Sequence, residues 1–189
     1  MKQEALINEV RRITWWGMII NIVLSASKIL AGVFGNSQAV IADGVHSLSD
    51  CVTDVAVIVG VRFWSAPPDQ DHPHGHQRIE ALVSLFIGLA LAAVAVGLGY
   101  EALSTILEHH PPPGIVALIA ALVSLVSKEI LYRWTVAAGR RIKSPAVIAN
   151  AWHHRSDAFS SIPAAAAVGA AIIFPDWYFL DHIGALVVM

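Results

Sequence analysis

The stretch NAWHHRSDAFSSIPAAAAVGAAII, residues 150–173, places two histidines, an arginine and an aspartate at the start of a small, apolar segment. The apolar character extends over 146–174, which exceeds the ~20 helical residues needed to cross about 30 Å of hydrocarbon. An ionisable side chain at bilayer depth costs roughly 2.5–3.5 kcal/mol on insertion scales. The polar cluster therefore needs a partner or a function inside the membrane.

Composition and segment lengths indicate a membrane protein built from helices. The chain has 189 residues, of which 56% are hydrophobic and 14% charged, whereas soluble domains are about 25% charged. A sixth apolar segment begins near 177 and has room for about 20 Å of helix, too little to span. We therefore expect an all-α, six-transmembrane-helix bundle forming one domain over 1–189, with the sixth helix truncated. The five complete apolar segments lie at 13–34, 39–64, 80–107, 114–137 and 146–174.

The basic residues predict the orientation of the bundle. Arginine and lysine occur in the N-terminal tail and in the second and fourth connections, and are absent from the first, third and fifth. Cytoplasmic loops carry the excess of basic residues, so the N-terminus is predicted to be cytoplasmic. The residues concerned are Lys2, Arg11, Arg12, Arg62, Arg78, Arg140, Arg141 and Lys143.

Two apolar segments carry the same pair of metal-binding side chains. His46 and Asp50 are four residues apart, and so are His153 and Asp157. On a helix this spacing puts both side chains on one face. Two such helices brought face to face offer two imidazoles and two carboxylates, a tetrahedral set suited to zinc. A hydrogen-bonded pair without metal explains one copy well, but two copies favour a metal site.

Each pair belongs to a longer polar stripe at helical spacing, of the kind that lines a water-filled path in a membrane protein. His154, three residues before Asp157, is the alternative imidazole on the second stripe. We choose His153 because its spacing to Asp157 matches that of His46 to Asp50. The stripes are Asp43, His46, Asp50 and Asp54, and Asn150, His153, Asp157 and Ser161.

The elements ADGVHSLSD and NAWHHRSD, with HPHGHQRIE between them, resemble the cation diffusion facilitator family of divalent-metal transporters, in its bacterial zinc/iron branch. The resemblance covers essentially the whole chain. It implies that His46, Asp50, His153 and Asp157 form the intramembrane transport site. It further implies that histidine at the first position accompanies a preference for zinc, whereas aspartate there accompanies broader handling of metals. A cytoplasmic C-terminal domain of the family is expected to be missing from this chain.

The second connection, PPDQDHPHGHQRIE, is rich in histidine and aspartate. By composition it is a metal-binding loop of undefined geometry, or simply a solvated polar loop. The resemblance implies that Asp69, His72 and His76 form a second metal site there. His74 departs from the family pattern, in which an aromatic residue is common.

The remaining charges receive structural interpretations. Lys28 and the neighbouring Lys128 and Glu129 are expected near helix ends, where lysine reaches the interface. Arg155 is expected to pair with a carboxylate. The small residues in GLALAAVAVGLG indicate close helix packing, either within the chain or at a subunit contact.

The function expected from these features is export of a divalent cation from the cytoplasm, and no enzymatic activity. Zinc is expected first, with iron, cadmium, cobalt or manganese as alternatives. Two aspartates are neutralised by one dication or by two protons, and ligands must be deprotonated to bind metal, so protons are the expected counter-ion. The resemblance implies alternating access by a homodimer, located in a bacterial inner membrane. The net charge of -2 gives no sign of nucleic-acid binding. A membrane metalloenzyme and a non-transporting regulatory or scaffold paralogue are the alternatives.

Overall fold

A computed structural model describes residues 2–64, 77–106, 111–141, 145–177 and 179–189. These residues form helices and short connections, and the described ranges contain no β-strand. The predicted all-α class is therefore confirmed. The helices are α1 Lys2–Phe34, α2 Gln38–Trp64, α3 Gln77–Thr105, α4 Ile115–Arg141, α5 Pro145–Ile173 and α6 Phe179–Val188, with a short 3₁₀ turn at Pro175–Trp177 before α6.

The lengths of the helices fit a membrane bundle. Within the described ranges, four stretches are long and apolar enough to cross a bilayer: Arg12–Phe34, Leu85–Thr105, Ile115–Arg141 and Val147–Ile173. Large apolar side chains cover the outside of the bundle, as expected of a surface that faces lipid.

Glycines allow α1 and α2 to approach closely after the tight turn that joins them. A Cβ atom at Gly44 would lie 2.7 Å from Ile29 Cγ1 and 2.9 Å from the Ile29 backbone nitrogen. A Cβ atom at Gly32 would lie 2.8 Å from the backbone nitrogen of Ile41. Since neither place has room for a side chain, the two backbones pack directly on each other.

The interior is built mainly from alanine and valine, which lets helices lie close together. One cluster joins α2, α4, α5 and α6, and a second joins α2, α3 and α6. α2 and α5 thereby pack against each other near the centre. The first cluster contains Ala39, Val40, Ala117, Ala121, Ala164, Ala165, Val168 and Val188.

α3 lies at the edge of this arrangement. A Cβ atom at Gly88 or Gly97 would meet nothing within 4 Å. Of the two alternatives for the small residues of α3, packing within the chain does not apply at these two positions, and a subunit contact stays a prediction. The cause is the position of α3, whose apolar side chains such as Phe86 and Val96 point outward.

The start of α6 is attached to the start of α2 by a buried carboxylate. Asp181 accepts a hydrogen bond of 2.7 Å from the Ser37 hydroxyl and one of 2.6 Å from the backbone N–H of Gln38. Ser37 in turn accepts a hydrogen bond from the N–H of Val40, as an N-cap residue does. These bonds fix the end of α2 from which the polar stripe begins.

Candidate metal centre

The pair on α2 has the predicted helical geometry. His46 Nε2 lies 3.9 Å from Asp50 Oδ2, and the side chains are 38% and 31% exposed. A cavity of about 290 Å³ borders both side chains and continues to Leu91 and Ala95 of α3. The imidazole and the carboxylate on α2 are therefore accessible to an ion or to water.

The pair on α5 has nearly the same internal distance but a different environment. His153 Nδ1 lies 3.6 Å from Asp157 Oδ1, with His153 42% exposed and Asp157 only 9% exposed. The other carboxylate oxygen, Asp157 Oδ2, lies 3.7 Å from the ammonium nitrogen of Lys128 on α4. Asp157 thus lies between an accessible imidazole and a buried cation.

The two polar stripes meet at Asp43 and Ser161. The Ser161 hydroxyl on α5 donates a hydrogen bond of 2.7 Å to Asp43 Oδ1 on α2. Among the described residues, no three histidine, cysteine, aspartate or glutamate side chains lie close enough together to hold a metal ion. The four proposed ligands are thus held as two pairs on adjacent helices, and their union in one metal site stays a prediction. The side chain of Asp54 lies outside the described part of the molecule.

The competing imidazole, His154, is turned toward α1 and toward Asn150 of its own helix. Its ring nitrogens lie 3.2 Å from Asn21 Nδ2 and 3.4 Å from Asn150 Nδ2, and the residue is buried. Its Nε2 would also lie 3.2 Å from a Cβ atom at Gly17 of α1. Both ring nitrogens therefore face side-chain amides at the α1–α5 contact, which is a structural environment.

The expectation that Lys28 and Lys128 reach the interface is wrong. Both side chains are buried, with 0% and 1% exposure. Lys128 lies 13 residues from each end of α4, or about 20 Å at 1.5 Å per residue, which is beyond the reach of a lysine side chain. A buried charge needs a partner, and each lysine has a carboxylate next to its ammonium group.

Within the described ranges, Lys28 has its partners on α2. Its Nζ lies 2.9 Å from Asp43 Oδ2 and donates to the Asp43 carbonyl oxygen at 3.0 Å and to the Ser47 hydroxyl at 2.7 Å. Lys128 donates to the same Ser47 hydroxyl at 3.1 Å. Ser47 thereby joins α1, α2 and α4 immediately beside the metal-binding pair of α2.

Arg155 pairs with a carboxylate, as predicted. Its Nε lies 3.6 Å from Glu129 Oε2, and its guanidinium carbon lies 4.7 Å from the centre of the Tyr132 ring. Glu129 also accepts a hydrogen bond of 2.8 Å from Arg133. This group links α4 and α5 on a different side of α5 from the metal-binding pair.

Several predicted positions lie outside the described residues. The proposed loop site at Asp69, His72 and His76 belongs to 65–76, and so does His74. Two further histidines, His109 and His110 in the connection between α3 and α4, also lie outside the described residues, within 107–110.

The comparison with known families decides the family of the chain. The model of the cation efflux transmembrane domain matches residues 14–189. The chain belongs to this family of cation diffusion facilitators. Its members are transporters and not enzymes, which excludes the metalloenzyme alternative.

Named relatives come from bacteria and plants. The manganese efflux system protein MneP of Bacillus subtilis is 39% identical over 163 residues, covering 86% of this chain and 55% of that protein. The magnetosome protein MamB of Magnetospira is 34% identical over 165 residues, covering 86% and 56%. Metal tolerance protein C1 of Arabidopsis thaliana is 37% identical over 191 residues, covering 91% and 40%. The chain therefore spans about half the length of the curated relatives it matches.

The sequence alone did not reveal the lysine network around the site. The signal was present in Lys128, because a lysine near the middle of a 27-residue helix cannot reach either interface. This signal was missed because the predicted apolar segment, 114–137, ends four residues before α4 does. The role of Asp181 depends on a contact between α2 and α6 that no local pattern predicts.

Proposed function

We propose that the chain is the membrane part of a divalent-cation exporter that binds its substrate between α2 and α5. The observation that carries this proposal is the repeated pair, His46 with Asp50 and His153 with Asp157, on two helices that contact each other. Membership of the cation efflux family supports the activity. Besides the four proposed ligands, Asp43 of α2 and Ser161 of α5 form a hydrogen bond that holds the two helices in register.

Zinc is the proposed substrate because the four side chains supply two nitrogen and two oxygen donors. Zn²⁺ takes imidazole nitrogen and carboxylate oxygen in tetrahedral sites. Manganese is the second candidate, since the similar protein MneP is named a manganese efflux system protein. Mn²⁺ favours oxygen ligands and octahedral geometry, and the cavity beside His46 and Asp50 has room for water as additional ligands.

Metal is proposed to leave in exchange for protons. Two carboxylates are neutralised equally by one dication or by two protons, so the exchange keeps the buried charge small. Imidazole takes up a proton near pH 6.5, and a protonated imidazole cannot bind metal. A lower external pH therefore favours release of the metal.

Alternating access is the proposed route, with α5 as a moving element. Pro163 lies inside α5 and removes one backbone hydrogen bond within two turns of Asp157. Such interruptions are tolerated in membrane helices where neighbouring groups satisfy the backbone. The carbonyl oxygen that loses its helical donor is that of Phe159, and the hydroxyls of Ser160 and Ser161 donate to the Asp157 carbonyl oxygen two residues before it.

The remaining parts of the proposal come from charge distribution and family resemblance. The basic loops place the N-terminus in the cytoplasm, with a homodimer in a bacterial inner membrane as the working form. Asp69, His72 and His76 are proposed as a cytoplasmic metal site. A cytoplasmic C-terminal domain, expected from the family, completes the proposed transporter.

Flux measurements in proteoliposomes test this function. Zinc and manganese efflux are measured separately, with and without a pH gradient across the vesicle membrane. We expect flux of zinc that increases when the side receiving the metal is more acidic. Absence of flux for every divalent ion tested contradicts transport and supports the regulatory or scaffold alternative. Flux that does not depend on the pH gradient contradicts proton exchange but leaves the transport function standing.

A further inference from the structure

Two buried lysines contact the polar face of α2, but they differ in how firmly they are bound. A lysine ammonium has three N–H donors. Lys28 donates hydrogen bonds of 2.7 and 3.0 Å to two oxygens and forms an ion pair of 2.9 Å with Asp43 Oδ2. In the described part of the chain, Lys128 has one hydrogen bond of 3.1 Å to Ser47 and a longer ion pair of 3.7 Å with Asp157. Lys128 is therefore the less tightly held of the two cations.

The carboxylates that the lysines face also differ. Lys28 pairs with Asp43, which is not a proposed metal ligand and is already bound by Ser161. Lys128 pairs with Asp157, which is a proposed ligand. The two Asp157 oxygens face different groups, since Oδ1 is near His153 and Oδ2 is near Lys128.

We propose that Lys128 is a tethered internal cation that competes with the transported metal for Asp157. It rests against the carboxylate when the metal is absent and yields to the metal on binding, while Ser47 retains its ammonium group. This inference rests on the proposed function of Asp157 as a ligand. Lys128 is a positioning and affinity-setting residue because it acts through Asp157 and does not itself bind metal.

The charges at the site explain why such a cation is useful to a transporter. Asp43, Asp50 and Asp157 carry three formal negative charges, and the two lysines carry two positive ones. Removing Lys128 leaves one more net negative charge next to the incoming dication and frees one Asp157 oxygen. Metal binding then becomes stronger, and release, which a transporter must complete in each cycle, becomes slower.

Substitution of Lys128 by a neutral residue should increase zinc affinity, whereas a purely structural role predicts no increase. Zinc affinity is measured by titration, and transport is measured as KM and maximal rate in proteoliposomes. We expect Lys128→Met and Lys128→Gln to bind zinc about tenfold more tightly, within the 5- to 150-fold range typical of coupling between two sites. KM and the maximal rate should both fall. Lys128→Arg, which keeps the charge, should restore affinity toward the native value.

Lys28→Met is the matched control, because it removes a buried lysine that binds the same Ser47 hydroxyl but faces Asp43. It should tighten zinc binding much less than Lys128→Met. Unchanged or weaker zinc affinity in folded Lys128→Met and Lys128→Gln protein overturns the inference, and so does equal tightening by Lys28→Met.

The unsubstituted chain offers a second test if the neutral variants do not fold. The sequence contains four lysines, Lys2, Lys28, Lys128 and Lys143, and ¹⁵N-lysine labelling makes their ammonium groups visible by NMR. Lys128→Arg identifies the Lys128 resonance by its loss. Addition of zinc should move this resonance more than that of Lys28. A Lys128 resonance that does not move overturns the inference.

Asp157→Ala separates this inference from the proposed function. Native zinc binding and flux in Asp157→Ala protein contradict the ligand assignment itself, and the competition falls with it. Loss of both in Asp157→Ala protein, combined with no tightening in the Lys128 variants, leaves the ligand assignment standing and overturns only the role of Lys128.

Discussion

The two histidine–aspartate pairs have the same spacing in the sequence but lie in different surroundings. His46 and Asp50 are both about one-third exposed and border a cavity. Asp157 is nearly buried and lies beside a buried lysine, although its partner His153 is exposed. Spacing along a helix therefore fixes which side chains share a face, while the neighbouring helices determine how exposed each carboxylate is and which charges lie beside it. We infer that α2 supplies the accessible half of the site and Asp157 the firmly held half.

The largest expected effect is the loss of Asp157. Asp157→Ala should abolish zinc flux and intramembrane zinc binding, because the Asp157 side chain is only 9% exposed and water therefore reaches the vacated ligand position poorly. Flux in proteoliposomes and a zinc titration measure it. Asp176→Ala, at an exposed position in the 3₁₀ turn, is the control and should behave as the native protein. Native flux in Asp157→Ala protein would contradict the assignment of α5 to the metal site.

Asp50→Ala should have a smaller effect than Asp157→Ala. Water from the adjoining cavity can take the vacated ligand position, so zinc affinity should fall roughly ten- to a hundredfold, at 1.4 kcal/mol per factor of ten. The same titration measures it. If Asp50→Ala loses binding completely while Asp157→Ala retains some, the assignment of accessible and held halves is reversed.

Displacing α2 from α1 should disturb the α2 half through the fold. A larger side chain at Gly44 meets Ile29 at once, so Gly44→Leu should destabilise the protein by about 1–3 kcal/mol and reduce zinc affinity. The thermal unfolding midpoint and the titration measure these changes. Gly88→Leu is the matched control, since space around Gly88 is open. Equal destabilisation by both substitutions would contradict the close α1–α2 contact.

The pH dependence of binding should reveal the imidazoles. A protonated imidazole cannot bind metal, so zinc affinity should weaken as pH falls. His153→Ala should flatten the slope of affinity against pH between about 5.5 and 8, the range in which imidazole titrates. His110→Ala, in the connection between α3 and α4, serves as the control and should keep the native slope. A native slope in His153→Ala protein is incompatible with proton exchange at this site.

The smallest expected effect is a change of selectivity. His46→Asp replaces a nitrogen donor with an oxygen donor in the accessible half, and oxygen suits manganese better than nitrogen does. The ratio of manganese to zinc flux should therefore rise by a few-fold, about 1 kcal/mol or less. An unchanged ratio would show that selectivity lies elsewhere in the protein.

The sequence predicted the helical bundle and the membership of each metal-binding pair because both depend on local spacing. The length of each apolar segment predicts a helix. The four-residue spacing pairs Asp157 with His153 and not with His154, which is buried. The polar stripes also predicted that Asp43 and Ser161 each lie on the same face of their helix as the histidine–aspartate pair. These features need no knowledge of which helices are neighbours.

The lysine network and the attachment of α6 could not be predicted in the same way. The contact of Lys128 with both Ser47 and Asp157 depends on where α4 lies against α2 and α5. Packing of small residues sets that position, and alanine and glycine are too common in membrane helices to specify a partner. The sequence therefore indicated the proposed ligands but not the lysines beside them.

We propose that one metal ion is bound by two imidazoles and two carboxylates between α2 and α5. The most direct measurement is the X-ray absorption spectrum of zinc bound to protein in which Asp69, His72 and His76 are alanine, which removes the proposed loop site. We expect one zinc per chain with two imidazole nitrogens and two oxygens at about 2.0–2.2 Å. The imidazole signal should be lost in the His46→Ala, His153→Ala double variant. A spectrum without imidazole, or one that the double variant leaves unchanged, would contradict this proposal.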